Sequence, residues 1–381
     1  MAGIVRRSAG GKRGFGHARV QDPRSQLGPS VPLTHSQSAH SQNSYDFVRF
    51  CAASAVLFSH HFDIAGFAEP QVPLLGMDFG QLGVSVFFCL SGFLIAQSLE
   101  KSSDPARFFA ARLLRIFPNL TVVLVVTSAA ALLLTGNFAH LSQHVGYVLH
   151  NLAMFVDGVV FTIPGVLEHA TRASLNDPLW TLPYELWCYV LLFVMFIPGG
   201  RRTRAGILAL AVALTLLRDA SFDHRVIGPL EIDDLINLAS YFFAGAALSL
   251  MWRIGDRHAL SIGAAGLIGL LLIRDEVIQL QPLALAACII GLGRARAFAW
   301  FARGGDASYG MYVFAWPVQQ LSLHLIGSFW LSLALAFVAT VAIGYATWHG
   351  FEHRALMRRE ALAEFMQNVF RRRWIAARDQ A

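Results

Sequence analysis

Tyr45-Asp46-Phe47-Val48-Arg49-Phe50-Cys51-Ala52-Ala53-Ser54-Ala55-Val56-Leu57-Phe58-Ser59-His60-His61 decides how the rest of the chain is read. The stretch is apolar enough for a membrane-crossing helix, yet it carries a cation near its start and a histidine pair near its end. Arg49 and His60 are 11 residues apart. That is three turns of helix, so both lie on one stripe, about 16 Å apart along the axis. Ionisable groups inside a span are costly and normally face a cavity or a partner. The plainer reading has Arg49 snorkelling to the nearer interface and His60 ending the helix.

Bulk composition agrees with a membrane chain. Of 381 residues, 55% are hydrophobic and 14% charged, with a mean hydropathy of +0.50. A soluble domain carries about 25% charged residues. The apolar segments run to about 17–21 residues, which suits helices rather than barrel strands. The expected fold is therefore an all-α, polytopic membrane bundle. The net charge of +6 is a topology signal, not a mark of nucleic-acid binding. Residues 1–43 hold Arg6, Arg7, Lys12, Arg13, Arg19 and Arg24 against Asp22 alone, and read as a disordered basic cytosolic tail. This basic start runs into Gly, Ser, Gln and His rather than an apolar core, so no signal peptide is expected. Cys51, Cys89, Cys188 and Cys288 are scattered through apolar segments, which predicts neither a disulfide framework nor a metal site.

Ten spans are predicted, at roughly 45–64, 80–99, 117–135, 178–198, 204–219, 234–252, 259–273, 277–293, 307–325 and 329–350. The stretch 143–160 is also apolar. If it crossed, Arg201, Arg202 and Arg204 would fall outside. If it lies on or re-enters the outer face, they fall inside, as cytoplasmic loops prefer. The later loops then agree, with acidic 219–233 outside and Arg253, Arg257, Arg294, Arg296 and Arg303 inside. Both termini are expected in the cytosol. Residues 44–350 form the membrane domain, and 351–381 a basic interfacial or cytosolic C-terminal segment, with an amphipathic helix over 351–375.

Several residues carry potential chemistry. Arg112 and Arg115 share a face of a short amphipathic turn before the third span. They suit a lipid headgroup or the phosphates of a soluble cofactor equally well. Glu185 lies about two turns into the fourth span, expected in the same outer half as His60. An intramembrane carboxylate marks either a functional site or a structural partner for an arginine or histidine. Gly80, Gly83 and Ser91-Gly92 allow close helix approach. Asp306 and Ser308 look like a helix start, and Pro317 kinks the ninth span. The chain has no Walker loop, dinucleotide fingerprint or zinc-protease motif.

Taken in order, these pieces resemble the acyltransferase 3 family of integral-membrane O-acyltransferases. Its arginine–ten residues–histidine motif matches Arg49 to His60, with Asp46 in its usual place. Gly83 to Ile95, Arg112 to Pro118, Pro178 to Glu185, Ser308 to Tyr312 and Phe351-Glu352 match further motifs in sequence order. Two positions depart from the pattern. Ser85 stands where many members have Asp, and Ala315 where many have His before Trp316-Pro317.

The resemblance implies transfer of an acyl group, most simply acetyl from cytosolic acetyl-CoA, to a carbohydrate hydroxyl on a cell-surface or secreted polysaccharide. The setting it implies is a bacterial inner membrane, multi-pass in the lipid bilayer, with acyl-CoA and a carbohydrate acceptor as partners and no nucleic acid or metal. Arg112 and Arg115 would hold the cofactor, and Arg49 would hold its pantetheine or diphosphate end or pair with Asp46. His60 would act as general base or as nucleophile. Glu185 would orient the imidazole or be the base itself. The alternative is a polytopic transporter or flippase for a polysaccharide precursor, without acyl transfer.

Overall fold

The computed structural model describes residues 43–136, 138–218, 220–251, 258–273 and 275–378. Nearly all of the predicted N-terminal tail therefore lies outside the described residues. The chain is helical, with only two short hairpins: β1 (Gln71–Val72) with β2 (Met77–Asp78), and β3 (Val226–Ile227) with β4 (Leu230–Glu231). The helices are α1 (Tyr45–Ile64), α2 (Phe79–Lys101), α3 (Pro105–Thr135), α4 (Leu141–Leu152), α5 (Met154–Asp157), α6 (Thr181–Phe196), α7 (Gly200–Leu217), α8 (Ile232–Met251), α9 (Ala259–Leu272), α10 (Gln281–Arg294), α11 (Ser308–Ile326), α12 (Phe329–Thr347), α13 (His353–Met357) and α14 (Arg359–Arg378).

Six helical segments among the described residues are long and apolar enough to cross a membrane: Phe79–Lys101, Pro105–Thr135, Asp177–Phe196, Ile232–Met251, Val277–Arg294 and Phe329–Met357. The chain is thus an all-α membrane protein. Helices also occupy the other four stretches expected to cross, but they are shorter or more polar. α9 has 14 residues, α7 begins with Arg201, Arg202 and Arg204, and α1 carries Asp46, Arg49 and Asp63. Polar side chains of α1 and α11 find hydrogen-bond partners across the bundle. Gln319 is fully buried and donates to the Leu57 carbonyl at 2.7 Å. His61, equally buried, bonds Ser332 Oγ at 3.0 Å.

Two expectations change. The turn holding Arg112 and Arg115 is not separate from the next span. One 31-residue helix, α3, runs through both, opened by Asp104 accepting from the Arg107 amide and by Pro105 at its first position. Pro118 sits inside it and leaves the helix unbroken. The predicted helix over 351–375 is instead split. A π-helical turn, Trp348–Glu352, buries Glu352 completely before α13 and α14 begin. The stretch 143–160 forms the 12-residue α4 and the short α5. Twelve residues rise about 18 Å, well short of the ~30 Å hydrocarbon core. Asn151 then fixes the return by bonding both backbone groups of Val160 at 2.9 Å.

α2 lies at the centre, opened by a reciprocal Asp78–Gln81 capping box and packed against α1, α6, α8 and α10. Its crossing with α8 is backbone on backbone. A Cβ at Gly92 would stand 1.8 Å from the Phe242 carbonyl oxygen, and one at Gly245 would stand 2.1 Å from the Cys89 carbonyl oxygen. Only hydrogen fits at either position. Gly92→Leu or Gly245→Val should therefore force α2 from α8, at an overpacking cost of ~1–3 kcal/mol or more. The expected outcome is a lower melting temperature and reduced monodisperse yield in detergent. The exposed Gly146→Ala, which meets no atom within 4 Å, should leave both unchanged.

Candidate active site

Arg49, three turns below His60 on α1, faces α11 and α3. Its Nη1 lies 3.3 Å from Asp306 Oδ2 and 3.7 Å from Asp46 Oδ1. The same Asp306 oxygen accepts from Arg115 Nη2 at 2.6 Å, while Arg115 Nη1 donates to Glu352. Asn119, one turn along α3, donates to the other Glu352 oxygen at 2.7 Å. Ser308 holds the second Asp306 oxygen through its backbone amide at 3.1 Å and through its hydroxyl. Two arginines and two carboxylates thus tie α1, α3, the start of α11 and the π-turn after α12 together. Asp306 and Glu352 were legible in the sequence only as a helix start and a motif remnant.

Arg112 differs from its neighbour. It lies one turn before Arg115, and its buried Nε has no hydrogen-bond partner among the described residues. Its guanidinium stands 5.9 Å from the centre of the Tyr189 ring. It lines a cavity together with Arg49, Arg115, Ser91, Glu185 and Tyr189. Glu185 accepts from Ser91 Oγ at 2.9 Å and from the Tyr189 hydroxyl. Four of the five candidates from sequence therefore share one cavity, and Arg112 is the cation left available to a ligand.

The expected pairing of Glu185 with His60 is not made. α6 begins within the bundle, because the 3₁₀ turn Asp177–Trp180 before it is itself packed inside, with Pro178 and Leu179 buried. Glu185 consequently comes level with Ser91, midway along α2, rather than with the end of α1. The carboxylate beside His60 is Glu69, from the loop between α1 and α2. Its Oε1 lies 3.4 Å from His60 Nδ1, and its Oε2 accepts from Ser59. Partial burial pushes the Glu69 carboxyl up, but hydrogen bonds from His60 and Ser59 and the nearby Arg172 outweigh it and hold the group below its ordinary value. An ionised Glu69 favours a proton on Nδ1 and leaves the lone pair on Nε2. No periodicity links a loop carboxylate to a helix face. Its position nine residues after His60 was the only signal.

His60 lies outside the cavity lining but close to its end. Val84 and Tyr312 line the cavity. One turn beyond Val84, a Cβ at Gly80 would stand 3.4 Å from His60 Cε1. One turn beyond Tyr312, the buried Trp316 meets the His60 ring edge-on at 5.4 Å. Two helices thus agree that the imidazole sits about 6 Å past the cavity end, at 1.5 Å per residue. The α2 lining runs from Val84 to Ile95, about 16 Å along the axis.

A family model described as an acyltransferase domain matches residues 42–349. Three relatives share 28% identity with the chain. An O-acetyl transferase of Shigella phage Sf6 aligns over 84% of this chain and 97% of its own length. Nodulation protein 10 of Rhizobium leguminosarum bv. viciae aligns over 88% and 98%. The exopolysaccharide production protein ExoZ of Rhizobium meliloti aligns over 74% and 90%. No solved structure matches the chain.

The ion cluster generates a stability prediction. Asp306→Ala leaves Arg49 and Arg115 facing each other without their shared carboxylate. Breaking a buried pair from one side costs about 3–5 kcal/mol. Purified protein should melt at markedly lower temperature, and a further Arg49→Met change should recover part of the loss.

Proposed function

Since the chain belongs to the acyltransferase 3 family, we propose that it is a membrane O-acyltransferase moving an acetyl group from cytosolic acetyl-CoA to a hydroxyl of a surface or secreted polysaccharide. The observation that carries this reading is the line from Arg112, whose buried Nε makes no hydrogen bond among the described residues, through the cavity toward the His60–Glu69 pair. A phosphate-bearing donor enters at the arginine end. Its uncharged pantetheine arm occupies the stretch between Ser91 and Val84, and the thioester reaches the imidazole. The protein crosses the bacterial inner membrane ten times with both termini in the cytosol, which puts the arginine end inside and His60 outside.

In this scheme Glu69 holds Nδ1–H, and His60 Nε2 takes the proton of the sugar hydroxyl. That oxygen forms the ester bond to the acyl carbon as the thioester C–S bond breaks, and CoA leaves as the thiol with the transferred proton. Arg112 binds the donor's anionic end, while Arg49 and Arg115, engaged by Asp306 and Glu352, shape the entrance. Glu185, held by Ser91 and Tyr189, sets the charge midway and counters Arg112 until the donor arrives. The name of one relative, an O-acetyl transferase, supports the acetyl group, and that of another, an exopolysaccharide production protein, supports a glycan acceptor.

The test compares base-labile acetate on surface glycan in a deletion strain carrying wild type or His60→Ala, with membrane levels matched. Wild type should restore the acetate and the variant should not. Equal acetate in both strains would remove His60 from the chemistry, and no acetate with wild type would sink the glycan acceptor. In membranes supplied with acetyl-CoA and acceptor, Glu69→Gln should lower kcat by about 10²-fold, the lower end of a general base's contribution, with KM for the donor unchanged. A fall no larger than twofold would free Glu69 from this role.

A further inference from the structure

Pro317 lies inside α11, which continues on both sides of it from Ser308 to Ile326. A proline has no backbone N–H, so the carbonyl four residues earlier loses its partner in the helical ladder. Here that carbonyl belongs to Val313, a fully buried residue. A buried carbonyl without a donor costs free energy. The missing donor comes from outside the helix: Asn176 Nδ2 donates to the Val313 carbonyl at 2.8 Å.

Asn176 stands at the N-cap of the 3₁₀ turn Asp177–Trp180. An asparagine there ordinarily accepts from the amides of its own turn, yet this one makes no such bond. It is almost wholly buried, and its Oδ1 has no partner among the described residues. The bond to Val313 is therefore what fixes the side-chain amide.

The same segment grips α11 at two further places. The Ser174 carbonyl accepts from Trp316 Nε1 and from Gln320 Nε2, each at 2.9 Å. Val313, Trp316 and Gln320 recur at intervals of three and four and so share one face of α11. Trp316 is the residue that meets the His60 ring edge-on, and it is fully buried. The imidazole is thus held at Nδ1 by Glu69 and against its ring by Trp316. Without Asn176 the turn from Val313 to Pro317 would lack a bond, and Trp316 lies within that turn.

We infer that Asn176 is a positioning residue for acyl transfer. By supplying the donor that Pro317 removes, it fixes the turn of α11 that carries Trp316, and Trp316 holds the His60 ring for proton abstraction. The inference rests on the reading of His60 as general base. Asn176 acts through Trp316, not on the substrate.

The experiment measures acetylation of surface glycan isolated from the deletion strain, in membranes supplied with acetyl-CoA. Asn176→Leu keeps much of the side-chain volume and removes the donor. It should lower kcat by about tenfold or more, since a misplacement of about 1 Å can cost ~10²-fold, and leave KM for acetyl-CoA unchanged. Pro317→Ala restores an N–H at position 317, so Asn176→Leu combined with Pro317→Ala should regain most of the lost kcat. In a Trp316→Leu background, Asn176→Leu should cost no further kcat, because coupled residues are not additive. Where Asn176→Leu alone fails to accumulate in the membrane, its combination with Pro317→Ala should accumulate and turn over, and failure to do so counts against the inference. Asn176→Leu at the wild-type rate, beside an inactive His60→Ala, overturns the inference alone. A rise in KM matching the fall in kcat makes Asn176 structural and overturns it too, as does a full additional loss in the Trp316→Leu background. His60→Ala at full rate overturns the inference together with the reading on which it rests.

Discussion

The charge cluster around Asp306 is the constraint on which the rest depends. Guanidinium groups withdrawn from water must recover their solvation from the protein, and Asp306 supplies it to Arg49 and Arg115 together. Glu352 closes the cluster and brings its own partner, Asn119. Each contributor comes from a different part of the chain, so the cluster forms only when α1, α3, α11 and the end of α12 have all arrived. Ion pairs of this kind add little net stability over a well-packed apolar replacement. Their value here is geometric, because they fix which face of α3 turns toward the cavity and leave Arg112 on it.

The charges in the cavity are consequently unequal in availability. Arg49 and Arg115 are neutralised at contact distance. Arg112 has an aromatic ring beside it, and the carboxylate sharing its cavity, Glu185, is held by two hydroxyls instead. A cation and an anion that line one cavity without bonding each other form a polarised site. An anionic ligand at Arg112 meets a guanidinium with no carboxylate at contact distance among the described residues, which is a stronger attraction than any already paired arginine offers.

Much of this was legible in the sequence wherever helical spacing carries the information. The Arg49–His60 stripe follows from 3.6 residues per turn, and helices stand over all ten apolar stretches. What spacing cannot supply is the partner of a charged group. Arg115 and Asp306 are 191 residues apart, and nothing local announces their contact. Glu69 was missed because a loop has no face to predict. Glu185 was misplaced for a different reason: depth was counted from the start of the apolar run, whereas the run opens with a 3₁₀ turn already inside the bundle. The unbroken α3 shows the same limit, since Pro118 reads as a boundary and the helix passes through it.

α2 shows why a single helix can order the whole path. The residues it lends to the site cavity, Val84, Phe87, Phe88, Ser91, Leu94 and Ile95, recur at intervals of three and four and so form one face. Their chemistry is graded along it, with one hydroxyl at the level of Glu185 and apolar side chains on both sides. Gly83 and Gly92 lie off that face and bring α1 and α8 against the helix backbone, which leaves the lining face free of packing duties. A charged substrate would have to shed its hydration along such a wall, whereas a long uncharged arm would not. The wall therefore selects a ligand that is anionic at the end it leaves outside and apolar or neutral along the length it inserts, which is the polarity a thioester donor presents to an imidazole held at the far end.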